Sequence, residues 1–266
     1  MTKRLKTTMS NHKIRTLDNL SLQEFDTDTE LIPLLTPEDE EEMNNEDLPD
    51  TLPILPLRNM VLFPGVVIPI TAGRDKSINL INDAYAAGKI IGVVAQKNEE
   101  IEDPTKNDIH QIGTVARILR VLKMPDGNVT VILQGKKRFK IETVVSETPY
   151  FTANIKDVAE KRPTKKDTEF LAILDSVREL AIQIIKENPN IPSEATFAIK
   201  NIESQSFLIN FVTSNMSLSV EEKQNLLSIN SLKDRALETL RYMNTELQKL
   251  ELKNDIQSKV RFDLDQ

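Results

Sequence analysis

Leu52-Pro-Ile-Leu-Pro-Leu-Arg-Asn-Met-Val-Leu-Phe-Pro-Gly65, continued by Val66-Val-Ile-Pro-Ile70, holds two apolar runs that are short and interrupted by proline. Both read as β-strands, because helices of ordinary length do not carry prolines at this spacing. A proline has no N–H to give to a ladder, so each run is expected on a sheet edge or at a bulge. Pro64-Gly65 marks the turn between them. The same residues contain Pro53-x-x-Pro56, the pattern of a polyproline ligand. The flanking leucines and isoleucine favour a half-buried edge strand instead.

Working outward, Gly73-Arg-Asp-Lys-Ser77 opens a helical period with Ile78, Ile81, Ala84 and Tyr85 on one face, closed by Gly88. Ile90 to Gln96 reads as a buried strand, and Ile112 to Met124 as an imperfectly alternating one. Pro125-Asp-Gly-Asn128 makes a hairpin turn into Val129 to Leu133. Phe139 to Val145 and Phe151 to Val158 complete about seven strands around one helix. That ratio predicts a small, curled, barrel-like sheet and not a doubly wound fold. Lys136-Lys137-Arg138, with Phe139 and Lys140, reads as a basic run after a turn. With Phe139 stacking on a base, the run would suit nucleic acid; a solvated turn entering a strand, with Phe139 and Ile141 inward, is the better reading.

All seven glycines lie between Gly65 and Gly135, and from Lys161 onward the pattern is helical. Asp167 is placed to cap a helix bearing Phe170, Leu171, Leu174, Val177, Ala181, Ile184 and Ile185, which ends before Asn188-Pro189. Ser193 begins one or two further helices carrying Phe197, Ile202, Phe207, Leu208, Phe211 and Val212. Ser219-Val-Glu-Glu222 is a capping box, and Ser231-Leu-Lys-Asp234 has a related form. The last helix keeps a packed seam through Leu240, Met243, Leu247 and Leu250. Its stripe then shifts to Leu252, Ile256, Val260 and Leu264. From Leu232 to Gln266 such a helix would run about 50 Å at 1.5 Å per residue, so its far half is expected to meet something other than this bundle.

The 266 residues carry a net charge of −7, but it is unevenly placed. Residues 21–50 hold 12 acids and no Lys or Arg, whereas the first 20 residues are basic. Low hydrophobicity with high charge predicts disorder for Ser21 to Asp50. The basic stretch weakly matches a mitochondrial transit peptide, but a solvated basic tail ahead of an acidic segment explains the same residues and is the better reading. There is no cysteine, which removes disulfides, thiolate zinc sites and cysteine nucleophiles; His12 and His110 are the only imidazoles. No apolar run approaches the roughly 20 residues that span a membrane. The expected organisation is a tail (1–50), a β-rich domain (51–160), a helical bundle (161–230) and a long helix (231–266).

Neither Gly88-Lys89 nor Gly135-Lys136 has the second glycine and hydroxyl of a phosphate-binding Walker A loop. G-x-G-x-x-G, G-x-S-x-G and H-E-x-x-H are also absent from the sequence. The residues therefore point to a binding module, with no cofactor or metal in this chain.

The stretch Leu52–Gly65 with Gly73–Ser77 resembles the N-terminal domain of the LonA ATP-dependent proteases, as do Val94–Lys97, Ile112–Ala116, Leu122–Gly127 and Gln134–Arg138. The resemblance continues more loosely over residues 50–266. It implies an α+β fold: a PUA-like curled β domain with one helix, then an all-α bundle ending in a long helix. It also implies substrate recognition for a cytoplasmic, hexameric serine protease that captures unfolded or damaged proteins. ATP and Mg, with the Ser-Lys dyad, would belong to AAA+ and protease modules beyond this chain, so no catalytic residue is carried over. The candidate substrate-binding residues are an exposed apolar turn, Met60, Leu62 and Phe63, of which Leu62 and Phe63 read equally well as ordinary core, and the charged entry to the first helix, Arg74, Asp75 and Lys76. A stand-alone protein-interaction adaptor and a DNA-binding PUA-like module, gripping phosphate through Lys136, Lys137 and Arg138, are the alternatives.

Overall fold

The structure, a computed structural model, describes residues 35–264, with side chains through residue 260. The basic stretch, His12 and the first part of the acidic block, residues 21–34, lie outside the described residues. The elements are α1 (Pro37–Asn45), β1 (Thr51–Leu57), β2 (Val67–Ala72), α2 (Asp75–Ala87), β3 (Ile90–Ala95), β4 (Ile112–Lys123), β5 (Val129–Ser146) and β6 (Thr152–Asp157). The helices α3 (Thr168–Glu187), α4 (Ala195–Asn201), α5 (Gln205–Asn215), α6 (Val220–Ser228) and α7 (Leu232–Leu264) follow. The fold is the expected mixture of a curled sheet and a helical part ending in a long helix.

The six strands lie in the order β2-β5-β4-β3-β1-β6, and β6 also pairs with β5, so five strands close on themselves. Closure removes most of the free edges that a small sheet would otherwise expose. Side-chain alternation then separates two cores. Leu52, Ile54, Val94, Val115, Phe139 and Ile155 fill the inside of the closed sheet. Leu55, Leu57, Val93, Ala116 and Leu133 face outward into a second core, shared with Phe170, Val177, Phe207 and Met243 of the helices.

Strand β1 is not at an edge, contrary to the expectation from its prolines. It lies between β3 and β6, but in a staggered way: residues 51–53 pair with β6 and residues 54–57 with β3. The stagger leaves room for Pro53 and Pro56 without breaking a two-sided ladder. Pro69 does sit on an edge strand, since β2 pairs only with β5.

Six strands replace the expected seven because β5 runs for 18 residues straight through Gly135. This glycine serves close approach instead of turning. A Cβ there would stand 2.3 Å from the Phe63 carbonyl oxygen. The Gly135 N–H donates to the Val66 carbonyl, and the Gly65 N–H donates to the Gly135 carbonyl, both at 2.9 Å. The chain at 63–66 therefore lies directly on β5.

The helix signals hold at several ends. The Asp167 carboxylate accepts the Phe170 N–H at 2.9 Å, and Ser219 and Glu222 form the reciprocal capping box. Gly88 closes α2, its N–H donating to the Ala84 carbonyl at 3.2 Å. Met243 and Leu247 are buried, whereas Leu252, Ile256 and Val260 are 61 %, 53 % and 51 % exposed, so the far half of α7 leaves the bundle. Tyr85 and Leu171 are partly exposed, and Phe197 stands largely in solvent at 70 % exposure. Helical periodicity marks a stripe but does not decide where a neighbour ends.

The acidic segment supplies the largest departure from expectation. Residues 37–45 form α1, capped by Thr36, and Leu35, Glu40 and Met43 are buried. Disorder was expected because composition counts charges but not the partners that meet them.

Candidate functional site

The entry to α2 is built around a residue that does not cap it in the usual way. Arg74 has extended backbone and makes no side-chain bond to the first turn. Its guanidinium reaches instead across the sheet end, donating to Gln96 Oε1 at 2.9 Å, the Glu102 carbonyl at 3.1 Å and the Pro56 carbonyl at 3.0 Å. Buried Gln96 donates in turn to the carbonyls of Asn98 and Ile101. Burial first, and neighbouring Arg58 second, lower the Arg74 pKa, while Asp103 opposes them. Arg74 thus ties the ends of β1 and β3 to the loop after β3 and is a positioning residue.

Beside it Lys76 donates to both carboxylate oxygens of Asp103, at 2.7 and 2.9 Å, in an exposed pair. Between this pair and the start of β6 lies a shallow cleft lined by Pro56, Lys76, Leu80, Asp103, Pro104 and Tyr150. The Tyr150 hydroxyl donates to Asp83 at 3.1 Å; burial first, then that bond, raise its pKa. The cleft is open and shallow, far too small to enclose a cofactor. Among the described residues no group of three or more His, Asp or Glu is arranged to hold a metal. The cleft thus presents a half-buried aromatic ring, a proline and an exposed ion pair.

The sequence-derived candidates divide. Lys76 and Arg74 line this cleft, and Asp75 is exposed at the first turn of α2. Met60 is half-buried against the shared core. Leu62 and Phe63, read either as an exposed turn or as core, are core, at 2 % and 0 % exposure. They fold inward because residues 63–66 pair with Gly135 and because the Thr114 hydroxyl donates to the Leu62 carbonyl at 2.6 Å. Asp103, Pro104 and Tyr150 were missed. Lys76 and Asp103 stand 27 residues apart, and Tyr150 and Asp83 67 apart, so no local pattern could join them.

The basic run is likewise rearranged. Lys136 pairs with Glu46, Lys137 pairs with Asp157 at 3.0 Å, and Arg138 is buried and donates to the Leu227 and Ile229 carbonyls at 2.9 Å. Phe139 and Ile141 point inward, as expected, but from the middle of β5 and not from a turn. Phe139 is therefore unavailable for stacking on a base, and the DNA-binding alternative gains no support.

The model of the ATP-dependent protease La (LON) substrate-binding domain matches residues 51–245. The Lon protease of Flavobacterium johnsoniae is 84 % identical over 258 residues, covering 97 % of this chain and 32 % of that protein. The Lon protease of Cytophaga hutchinsonii is 48 % identical over 237 residues, covering 89 % and 29 %. This chain thus spans about a third of the length of these curated relatives. Among solved structures, the N-terminal domain of a Mycobacterium avium complex Lon protease superposes with a TM-score of 0.60 at 19 % identity, covering 73 % of this chain and 98 % of that one. At that identity the likeness concerns the fold alone. Among the described residues no helix is long and apolar enough to cross a membrane.

Proposed function

We propose that this chain, which belongs to the ATP-dependent protease La (LON) substrate-binding domain family, captures unfolded or damaged protein segments in the cleft at the entry to α2. The observation that carries the reading is the convergence of Tyr150, Pro104 and the exposed Lys76–Asp103 pair on one open groove held in place by Arg74. An apolar substrate side chain would pack on Tyr150 and Pro104, and Lys76, Asp75 and Asp103 would meet charges along the segment. Met60 is assigned to the periphery of this surface. ATP hydrolysis with Mg and peptide cleavage are assigned to segments of a longer cytoplasmic polypeptide like the relatives. Assembly into a hexamer is supported by the apolar stripe that Leu252, Ile256 and Val260 leave uncovered on α7.

The test is binding of fluorescein-labelled, unfolded casein to the 266-residue chain, followed by anisotropy. Lys76→Glu with Tyr150→Ala should weaken it at least fivefold without changing the melting temperature by more than a few degrees. Unchanged affinity would remove the cleft from the assignment.

A further inference from the structure

Residues 37–45 carry five acids and no base, yet they form a helix against the folded body. A helix of nine residues is not stable alone in water, so α1 depends on the surface beneath it. Three side chains of residues 35–45 are buried against that surface. Leu35 reaches the spot where Gly65 meets Phe207: a Cβ on Gly65 would lie 3.2 Å from Leu35 Cδ2 and 2.7 Å from Phe207 Cδ2. Met43 is buried and forms one wall of a hollow also lined by Leu48, Ile90, Val115, Lys136 and Lys137. Between these anchors Glu40, 8 % exposed, accepts from Arg162 and from the Ser204 hydroxyl.

The rim completes the match. Lys136 pairs with Glu46, and Lys137 donates to the Asn44 carbonyl at 3.1 Å. Phe207, Lys136, Lys137, Arg162 and Ser204 all lie within the family segment 51–245, whereas α1 lies outside it. The surface and its occupant therefore come from different parts of the polypeptide. The surface selects for one chemistry: a short helix with two apolar anchors flanking a buried carboxylate, and further acids toward the rim. The five residues Glu46–Asp50 that join α1 to β1 hold it near at an effective concentration in the millimolar range.

We propose that this surface is a second docking site, for acidic amphipathic helical segments of protein substrates, and that α1 occupies it in cis as a displaceable stand-in. The proposal rests on the substrate-binding reading but concerns a face separate from the α2 cleft. A segment resembling α1 gains access only when it outcompetes the tethered helix, so the device sets a threshold on which substrates are held.

The experiment uses the whole 266-residue chain and a fluorescein-labelled peptide of residues 35–50 as probe. Glu40→Arg with Met43→Asp in the chain should release α1, speed amide exchange in residues 37–45, and tighten peptide binding at least tenfold over the unaltered chain. Leu35→Asp alone should act in the same direction. Adding Lys136→Glu and Lys137→Glu should abolish the gain. Equal peptide affinity for released and unaltered chains would overturn the proposal. So would a gain that a scrambled peptide of the same composition reproduces, or unprotected amides at 37–45 in the unaltered chain. Casein binding measured alongside separates the two readings. A peptide gain with no casein binding by any variant leaves this site standing and sinks the α2 cleft. Casein binding with no peptide gain does the reverse.

Discussion

The guanidinium of Arg235, fully buried at the start of α7, donates to the carboxylate of Glu160, just after β6. This ion pair joins the sheet to the helices at the seam of the shared core. Glu160 also accepts from Arg162 at 3.2 Å and from the Ser206 hydroxyl at 3.3 Å. Buried Arg138 stands close by; its pKa is lowered to about 10 by burial first and by the charge of Arg235 second, with Glu160 opposing. Glu160 is therefore the carboxylate that lets two buried cations coexist.

Removing that charge should be costly. Glu160→Gln leaves Arg235 and Arg138 facing each other in a dry interior, and breaking a buried pair from one side typically costs about 3–5 kcal/mol. Urea denaturation should show a loss of about 3 kcal/mol with an unchanged slope. A loss below about 1 kcal/mol would mean that water reaches the pair.

Gly135→Ala should destabilise by about 2 kcal/mol or more, because the new methyl meets the Phe63 carbonyl, part of a backbone that cannot swing away. Gly127→Ala offers the contrast. Its Cβ would stand in open space, and only the positive φ of 87° opposes it, at about 1 kcal/mol. Thermal melts of the two variants should rank in that order.

Two phenylalanines that look alike in sequence should behave differently. Phe207→Ala removes a ring that is 2 % exposed and packs 5.8 Å from Phe211, and should cost about 3–5 kcal/mol. Phe197→Ala, at 70 % exposure, should change stability by less than about 0.5 kcal/mol. Chemical denaturation of both variants checks the pair.

Acid should weaken the cap of α3. The Phe170 N–H first, then Lys233, hold the Asp167 carboxyl below its ordinary pKa. A carboxylate whose folded pKa is depressed contributes stability that is full above the unfolded value, near pH 4, and is lost as pH falls through the lower folded value. The unaltered chain should therefore be more stable than Asp167→Ala at pH 7, by a gap that stays constant down to about pH 5 and closes below pH 4. Urea midpoints measured across that range would show it; a gap that persists at pH 2 would place the cap's contribution elsewhere.

Much of the fold was legible because its signals are local. Proline-punctuated apolar runs, the Asp167 and Ser219 caps and the loss of glycine after Gly135 each report on a few neighbouring residues, and each found its expected element. The site was legible only in part. Arg74 and Lys76 were picked out by their place at a helix entry, but Tyr150, Pro104 and Asp103 reach them through sheet closure.

By itself, then, the sequence determined the strand and helix periods, the caps and the charge of the acidic segment, since these depend on backbone chemistry within a turn or two. Tertiary structure decided what those features meet. Gly135 reads as a turn until the chain at Phe63 is laid across it, Phe63 reads equally as exposed anchor or core until that same contact buries it, and residues 37–45 read as disordered until Arg162 and Ser204 are brought to Glu40. Burial and charge pairing depend on which surfaces come together, and in a closed sheet packed on helices those surfaces come from opposite ends of the chain.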